Sequence, residues 1–152
     1  MLRTQITEAM KDALRAKDER ALSTIRLMVS RMKDLDIAAR PKGNADGIGD
    51  DEILTMLQGM IKQRRESIAL YEKGNRPDLV KQESEEITVI ERFLPKQMDE
   101  AAVKEAIEKI VAATGASSVK DMGKVMGEMK KTYAGQMDFS QAGALVKARL
   151  AG

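Results

Sequence analysis

Pro95 divides the chain. On both sides of it apolar residues recur at helical spacing, and a proline has no backbone N–H and pushes the residue before it out of the α region. The run Glu91-Arg92-Phe93-Leu94-Pro95-Lys96 therefore ends one set of helices, and Asp99 opens a shorter set. The sequence reads as all-α and multihelical, with an N-terminal helical domain over residues 1–95 and a smaller C-terminal helical domain over 96–152.

In the first part, Leu2, Ile6, Met10 and Leu14 mark one amphipathic helix, and Leu22, Ile25, Met28, Val29, Met32 and Leu35 a second, longer one. Arg40 to Gly49 carries a Pro and three Gly without periodicity, which reads as a mobile loop lacking phosphate-loop spacing. Asp50-Asp51-Glu52 follows. It could be a metal site, but carboxylates at a helix start satisfy free N–H groups and the dipole, so capping by Asp50 or Asp51 is the working reading. The third helix has the seam Leu54, Leu57, Ile61, Arg64, Ile68, Tyr71 and ends at Gly74, a left-handed terminator. Pro77 starts the fourth, with the seam Val80, Glu83, Ile87, Ile90, Leu94. Arg64 and Glu83 interrupt facing seams. Either Arg64 pairs with Glu83 or Glu86, or each long side chain snorkels to water.

Beyond Pro95, Asp99 caps a fifth helix with the stripe Val103, Ile107, Ile110, Val111, ending at Thr114-Gly115. Ser118 and Asp121 resemble a capping box ahead of a sixth helix, and Asp138 with Gln141 another ahead of a seventh, which carries Ala142, Leu145, Val146 and Leu150. On the sixth helix Met122, Val125, Met126 and Met129 share one face, and Lys120, Lys124, Gly127 and Lys131 the other. Gly123 and Gly127 each cost roughly 1 kcal/mol against Ala in a helix, so a close backbone approach should gain from them. What approaches is either another helix of the same domain or the sugar-phosphate chain of a nucleic acid.

Composition excludes more than it selects. The chain has no Cys and no His, hence no thiol nucleophile, no imidazole acid or base and no common zinc site. An enzyme would have to use Asp, Glu, Lys or Ser alone, and no such constellation stands out; no catalytic, cofactor or metal residue is nominated. The net charge of +2 is too small to argue for a polyanion by itself. The excess lies wholly in the second half, where Lys120, Lys124, Lys130, Lys131, Lys147 and Arg149 fall on two adjacent helices. Eleven methionines mostly occupy seam positions, as core fillers. The polar opening Met1-Leu2-Arg3-Thr4-Gln5, and the absence of anything near the roughly 18 apolar residues of a membrane span, read as a cytoplasmic chain with no membrane partner.

Three stretches together carry a family likeness: Lys62 to Ile68, Ile90 to Pro95, and Thr114 to Gly127 with its Gly123-Lys124-Val125-Met126-Gly127 core. They resemble the free-standing YqeY-like proteins of the GatB/YqeY family. The second half, with Gly135 and Leu145-Val146 added, is similar to the tail domain of the B subunit of the glutamine-dependent amidotransferase that acts on misacylated glutamyl- or aspartyl-tRNA. The resemblance implies a C-terminal domain of that tail type and a partner that is tRNA or another structured RNA, held through Lys120, Gly123, Lys124, Gly127, Lys130, Lys131, Lys147 and Arg149. It does not imply the reaction, because the amidotransferase's catalytic body and its amidase partner are absent, and carbon-nitrogen ligase with glutamine as amide donor stands as a family label. The expected function is a non-catalytic tRNA- or RNA-binding accessory protein, with a translation enzyme as a second partner. The alternative is a protein-protein adaptor whose bundle grooves hold a partner helix.

Overall fold

The computed structural model describes residues 1–152. It holds seven α-helices and two single-turn 3-10 segments, with no strand, which is the all-α multihelical class. The chain forms two compact units, Met1–Leu94 and Pro95–Gly152, each with its own core.

The first unit contains α1 (Leu2–Ala16), α2 (Glu19–Ala39), α3 (Asp50–Lys73) and α4 (Pro77–Glu91). Ile6, Ile25, Met28, Ile53, Leu57 and Ile90 are fully buried at its centre. Helix α1 ends on a left-handed Lys17, and the Asp18 carboxylate accepts from the amide of Ala21 at 3.1 Å to start α2. The apolar spacing of α1 overshoots by one position: Leu14 is exposed and Ala13 is buried. On α3 the buried stripe is wider than a single seam and includes Ile53, Met56 and Met60, because this helix meets α1, α2 and α4. Its terminator is also displaced. Gly74 has an ordinary φ of −83°, and Asn75, with φ 55°, makes the left-handed turn. Pro77 is the first residue of α4, where a missing N–H costs nothing. Helix α4 stops at Glu91, and Phe93 and Leu94 donate to the carbonyls of Ile90 and Glu91 in a tightened last turn ahead of Pro95.

Arg64, which breaks the α3 seam, pairs with Glu86 across the α3–α4 contact. Arg64 Nε donates to Glu86 Oε2 at 2.9 Å, the two side chains keep only 11% and 10% exposure, and Arg64 Nη1 donates to the carbonyl of Met60 at 3.1 Å. Arg20 joins from α2, with Nη1 3.9 Å from Glu86 and Nε 3.1 Å from Glu85. One buried carboxylate thus ties three helices. Glu83 is left outside this pairing. Burial pushes its carboxyl above the usual range, the charge of Glu86 adds to that push, and Arg64 opposes it.

The expectation of a mobile loop after α2 is corrected by a clasp from the first turn of α1. Arg3 forks onto Asp36 at 2.9 and 2.8 Å and also donates to the carbonyl of Ile48, while the amide of Ile48 donates to the same Asp36 at 2.8 Å. Ile48 is thereby seated in the core at 4% exposure, a burial worth about 1.5–3 kcal/mol. Gly47 permits this at φ 94°, and a Cβ there would sit 2.7 Å from Asp36 Oδ1. Asp50 is corrected too: its carboxylate accepts from the amide of Leu2 at 3.2 Å, capping α1 from a distance, and no side chain caps α3 behind its N-cap Gly49.

This clasp has a testable acid response. The hydrogen bonds from Arg3 hold the Asp36 carboxyl below the usual carboxylate range, so its contribution is fully present above the unfolded value and is lost as pH falls through the lower folded value. Amide exchange at Ile48, corrected for intrinsic rate, should lose protection below about pH 4 before the core amides do. In Asp36→Asn that protection should already be weak at neutral pH, and unchanged protection there would contradict the clasp.

The second unit contains α5 (Glu100–Thr114), α6 (Met122–Thr132) and α7 (Phe139–Ala151) around Val125, Met129 and Val146, all fully buried. Asp99 caps α5 through the amide of Ala102 at 2.8 Å, and Gly115 ends it at φ 69°. Asp138 caps α7 through the amide of Ser140 at 2.8 Å. The segment before α5 is tied to the connector between α6 and α7: Met98 N donates to Gln136 O at 2.8 Å and Gln97 Nε2 to Gly135 O at 2.6 Å.

Candidate nucleic-acid interface

Helix α6 owes its orientation to Val125 and Met129, which point into the core, with Met122 and Met126 packed beside them. The opposite face is open. A Cβ built on Gly123 or Gly127 would meet no atom within 4 Å, so neither serves the packing of this unit. The glycine that serves internal packing is Gly143 on α7, whose Cβ would touch Met122 Cε at 3.7 Å and Met126 Cε at 3.8 Å. Sequence reasoning passed over it, although its place next to Ala142 on the buried side of α7 was a usable signal.

At about 100° per residue, Gly123 and Gly127 form a bare strip with Lys130 on one side and Lys120, Lys131 and Lys124 on the other. Lys120 comes from the 3-10 turn Val119–Asp121 that leads into the helix. Lys124 Nζ donates to the carbonyl of Thr114 at 3.3 Å, next to the C-terminal end of α5, where a cation is favoured. Lys120, Lys130, Lys131 and Lys147 are exposed and take no part in the ion pairs of this unit, which are Lys104–Glu100, Lys109–Glu105 and Arg149–Glu108.

Two features limit the basic face. Lys147 and Arg149 lie about 200° apart on α7, on opposite flanks, and Arg149 is bonded to Glu108 of α5, which raises its pKa. Asp121 also places a carboxylate among the lysines. The amides of Ser117 and Ser118 donate to it at 2.9 and 3.3 Å and hold its carboxyl below the usual range, so it stays charged. The four lysines of α6 and its lead-in turn are therefore the coherent part of the face.

These features define a class: a small, two-unit, all-α protein with an open basic helix face and no helix long and apolar enough to cross a membrane. The chain belongs to the family described as Yqey-like protein, whose model matches residues 3–150. Among curated proteins it is similar to "Altered inheritance of mitochondria protein 41, mitochondrial" of three yeasts. The protein of Lachancea thermotolerans is 34% identical over 85 residues, covering 56% of this chain and 43% of the relative. That of Saccharomyces cerevisiae (strain YJM789) is 29% identical over 126 residues, covering 79% and 65%. That of Vanderwaltozyma polyspora is 28% identical over 120 residues, covering 74% and 62%. The chain thus spans less than two thirds of the length of these relatives.

The mitochondrial naming of these relatives overturns the cytoplasmic expectation. That expectation rested on the polar opening residues. In the structure they form the first turn of α1, with Leu2 buried and Arg3 in the clasp, so Leu2 and Arg3 answer to the packing of this unit.

Proposed function

We propose that this YqeY-family protein is a non-catalytic RNA-binding accessory protein that holds the backbone of tRNA, or of another structured RNA, on the outer face of α6, beside a translation enzyme. The observation that supports this most is the bare strip at Gly123 and Gly127: two glycines weaken a helix, fill no internal contact, and lie between lysines that make no ion pair. Such a strip lets a sugar-phosphate chain approach the helix backbone while ammonium groups on both sides meet phosphates. The glycines and lysines position a ligand, and neither supplies chemistry.

The test is affinity for tRNA as salt is varied, using mitochondrial tRNA first, since the relatives are named for mitochondria. Phosphate contacts release counterions, so affinity should fall steeply with salt. Changing Lys120, Lys124 and Lys131 together to alanine should flatten the log-log slope by roughly two to three units and leave the helical circular dichroism intact. Equal binding of the triple variant and its parent at equal salt ends this reading.

A further inference from the structure

Between α2 and α3 of the first unit runs a groove of about 560 Å³ lined in part by Leu35, Met56 and Gly59, with Arg31 from α2 and Asp51 and Glu52 from the first turn of α3. Gly59 sits inside the 24-residue α3, has no positive φ that would require glycine, and a Cβ there would meet nothing within 4 Å. Glycine is the poorest helix former after proline, so neither local conformation nor internal packing accounts for it. The apolar surface continues beyond the groove. Leu27, 50% exposed, stands on the α2 stripe with Arg31 and Leu35, and Leu70, 67% exposed, lies within about 40° of Gly59 on α3.

The charges around this groove identify an occupant. Arg31, Asp51 and Glu52 are exposed, and none appears among the ion pairs of the first unit. Acid at one end and base further along make the groove complementary to itself: a two-fold rotation about its middle sets each arginine against the acids of the other copy. We propose that this face is a homodimer contact, in which α3 of a second copy lies in the groove near Gly59 and Arg31 of each copy meets Asp51 and Glu52 of the other. The absent side chain lets the two helices approach closely, and the exposed Leu27 and Leu70 are the apolar surface such a contact can cover. The proposal is independent of RNA binding, which belongs to the second unit.

Sedimentation of the full chain over micromolar to submillimolar concentrations tests it. The parent should move from 16.8 kDa toward twice that mass. Gly59→Leu, whose side chain has open space in the monomer, should keep its helicity and remain at 16.8 kDa at every concentration. Arg31→Glu alone should be monomeric, as should Asp51→Lys/Glu52→Lys alone, and mixing the two should restore the doubled mass, because only the mixed pair sets opposite charges together. A parent that stays monomeric, a Gly59→Leu chain that dimerises as the parent does, or a mixture that fails to associate would each overturn the proposal. Gly59→Leu should bind tRNA as the parent does, so failure of one site is separable from failure of the other.

Discussion

Arg64→Met should destabilise the first unit by about 3 kcal/mol, toward the lower end of what removing one partner of a buried ion pair costs. The loss comes from Glu86, left at 10% exposure with its best donor gone, more than from the absent attraction. Arg20 limits the damage, since its Nη1 lies 3.9 Å from Glu86 and can close in. Arg64→Met combined with Glu86→Leu should recover most of the loss, because two apolar side chains of similar size fill the seam and leave no buried charge; Arg20 keeps Glu85 at 3.1 Å. Urea unfolding of the parent, the two single variants and the double variant gives the coupling directly. Additive changes would show that Arg64 and Glu86 act separately and would refute this account of the α3–α4 seam.

The second large effect separates two glycines on neighbouring helices. Leucine at Gly143 must displace the methyl ends of Met122 and Met126, which already stand 3.7 and 3.8 Å from a bare Cβ, and such overpacking costs about 1–3 kcal/mol. Leucine at Gly127 meets open space and should raise the melting temperature through helix propensity, by roughly 1 kcal/mol or less. The expected effects on RNA are reversed. Gly127→Leu puts bulk where the proposal sets a phosphate backbone, and should weaken tRNA binding by an order of magnitude in a more stable protein. Gly143→Leu should retain affinity wherever the second unit remains folded. Loss of stability in Gly127→Leu, or undiminished binding by it, would count against the open strip.

Much of the helical layout was legible because its signals are local. Pro77 and Pro95 restrict their own backbone and their neighbours', and Asp99 and Asp138 accept from amides three and two residues on. Legibility fell where a residue answers to something distant. Asp50 looked like a cap for the helix it begins, but its acceptor serves Leu2, 48 positions earlier. The loop through Gly47 looked mobile because the restraint on it comes from Arg3 and Asp36, which carry no loop signature. Gly74 and Asn75 can both take a left-handed turn, and the return of the chain into α4 decided between them. For the basic face, lysine spacing was readable from the helical period. Which glycines face space and which face methionine was not, since that depends on how α6 and α7 are packed.

The carboxylates of α4 also bear on how the first unit assembles during synthesis. Arg20 and Arg64 both lie upstream of α4, and the acids they engage, Glu85 and Glu86, are just past its middle, 65 and 22 residues further along. A nascent chain released only as far as Gly74 carries one cation destined for the interior, Arg64, and an uncovered apolar side on α3. Helices α1 to α3 can form in that interval, and Arg3 can close on Asp36, but Arg20 and Arg64 still lack the carboxylates they engage in the finished unit. Closure of the first unit around these carboxylates therefore waits for its last helix, and the sequence separation of the pairs sets the order in which the contacts can form.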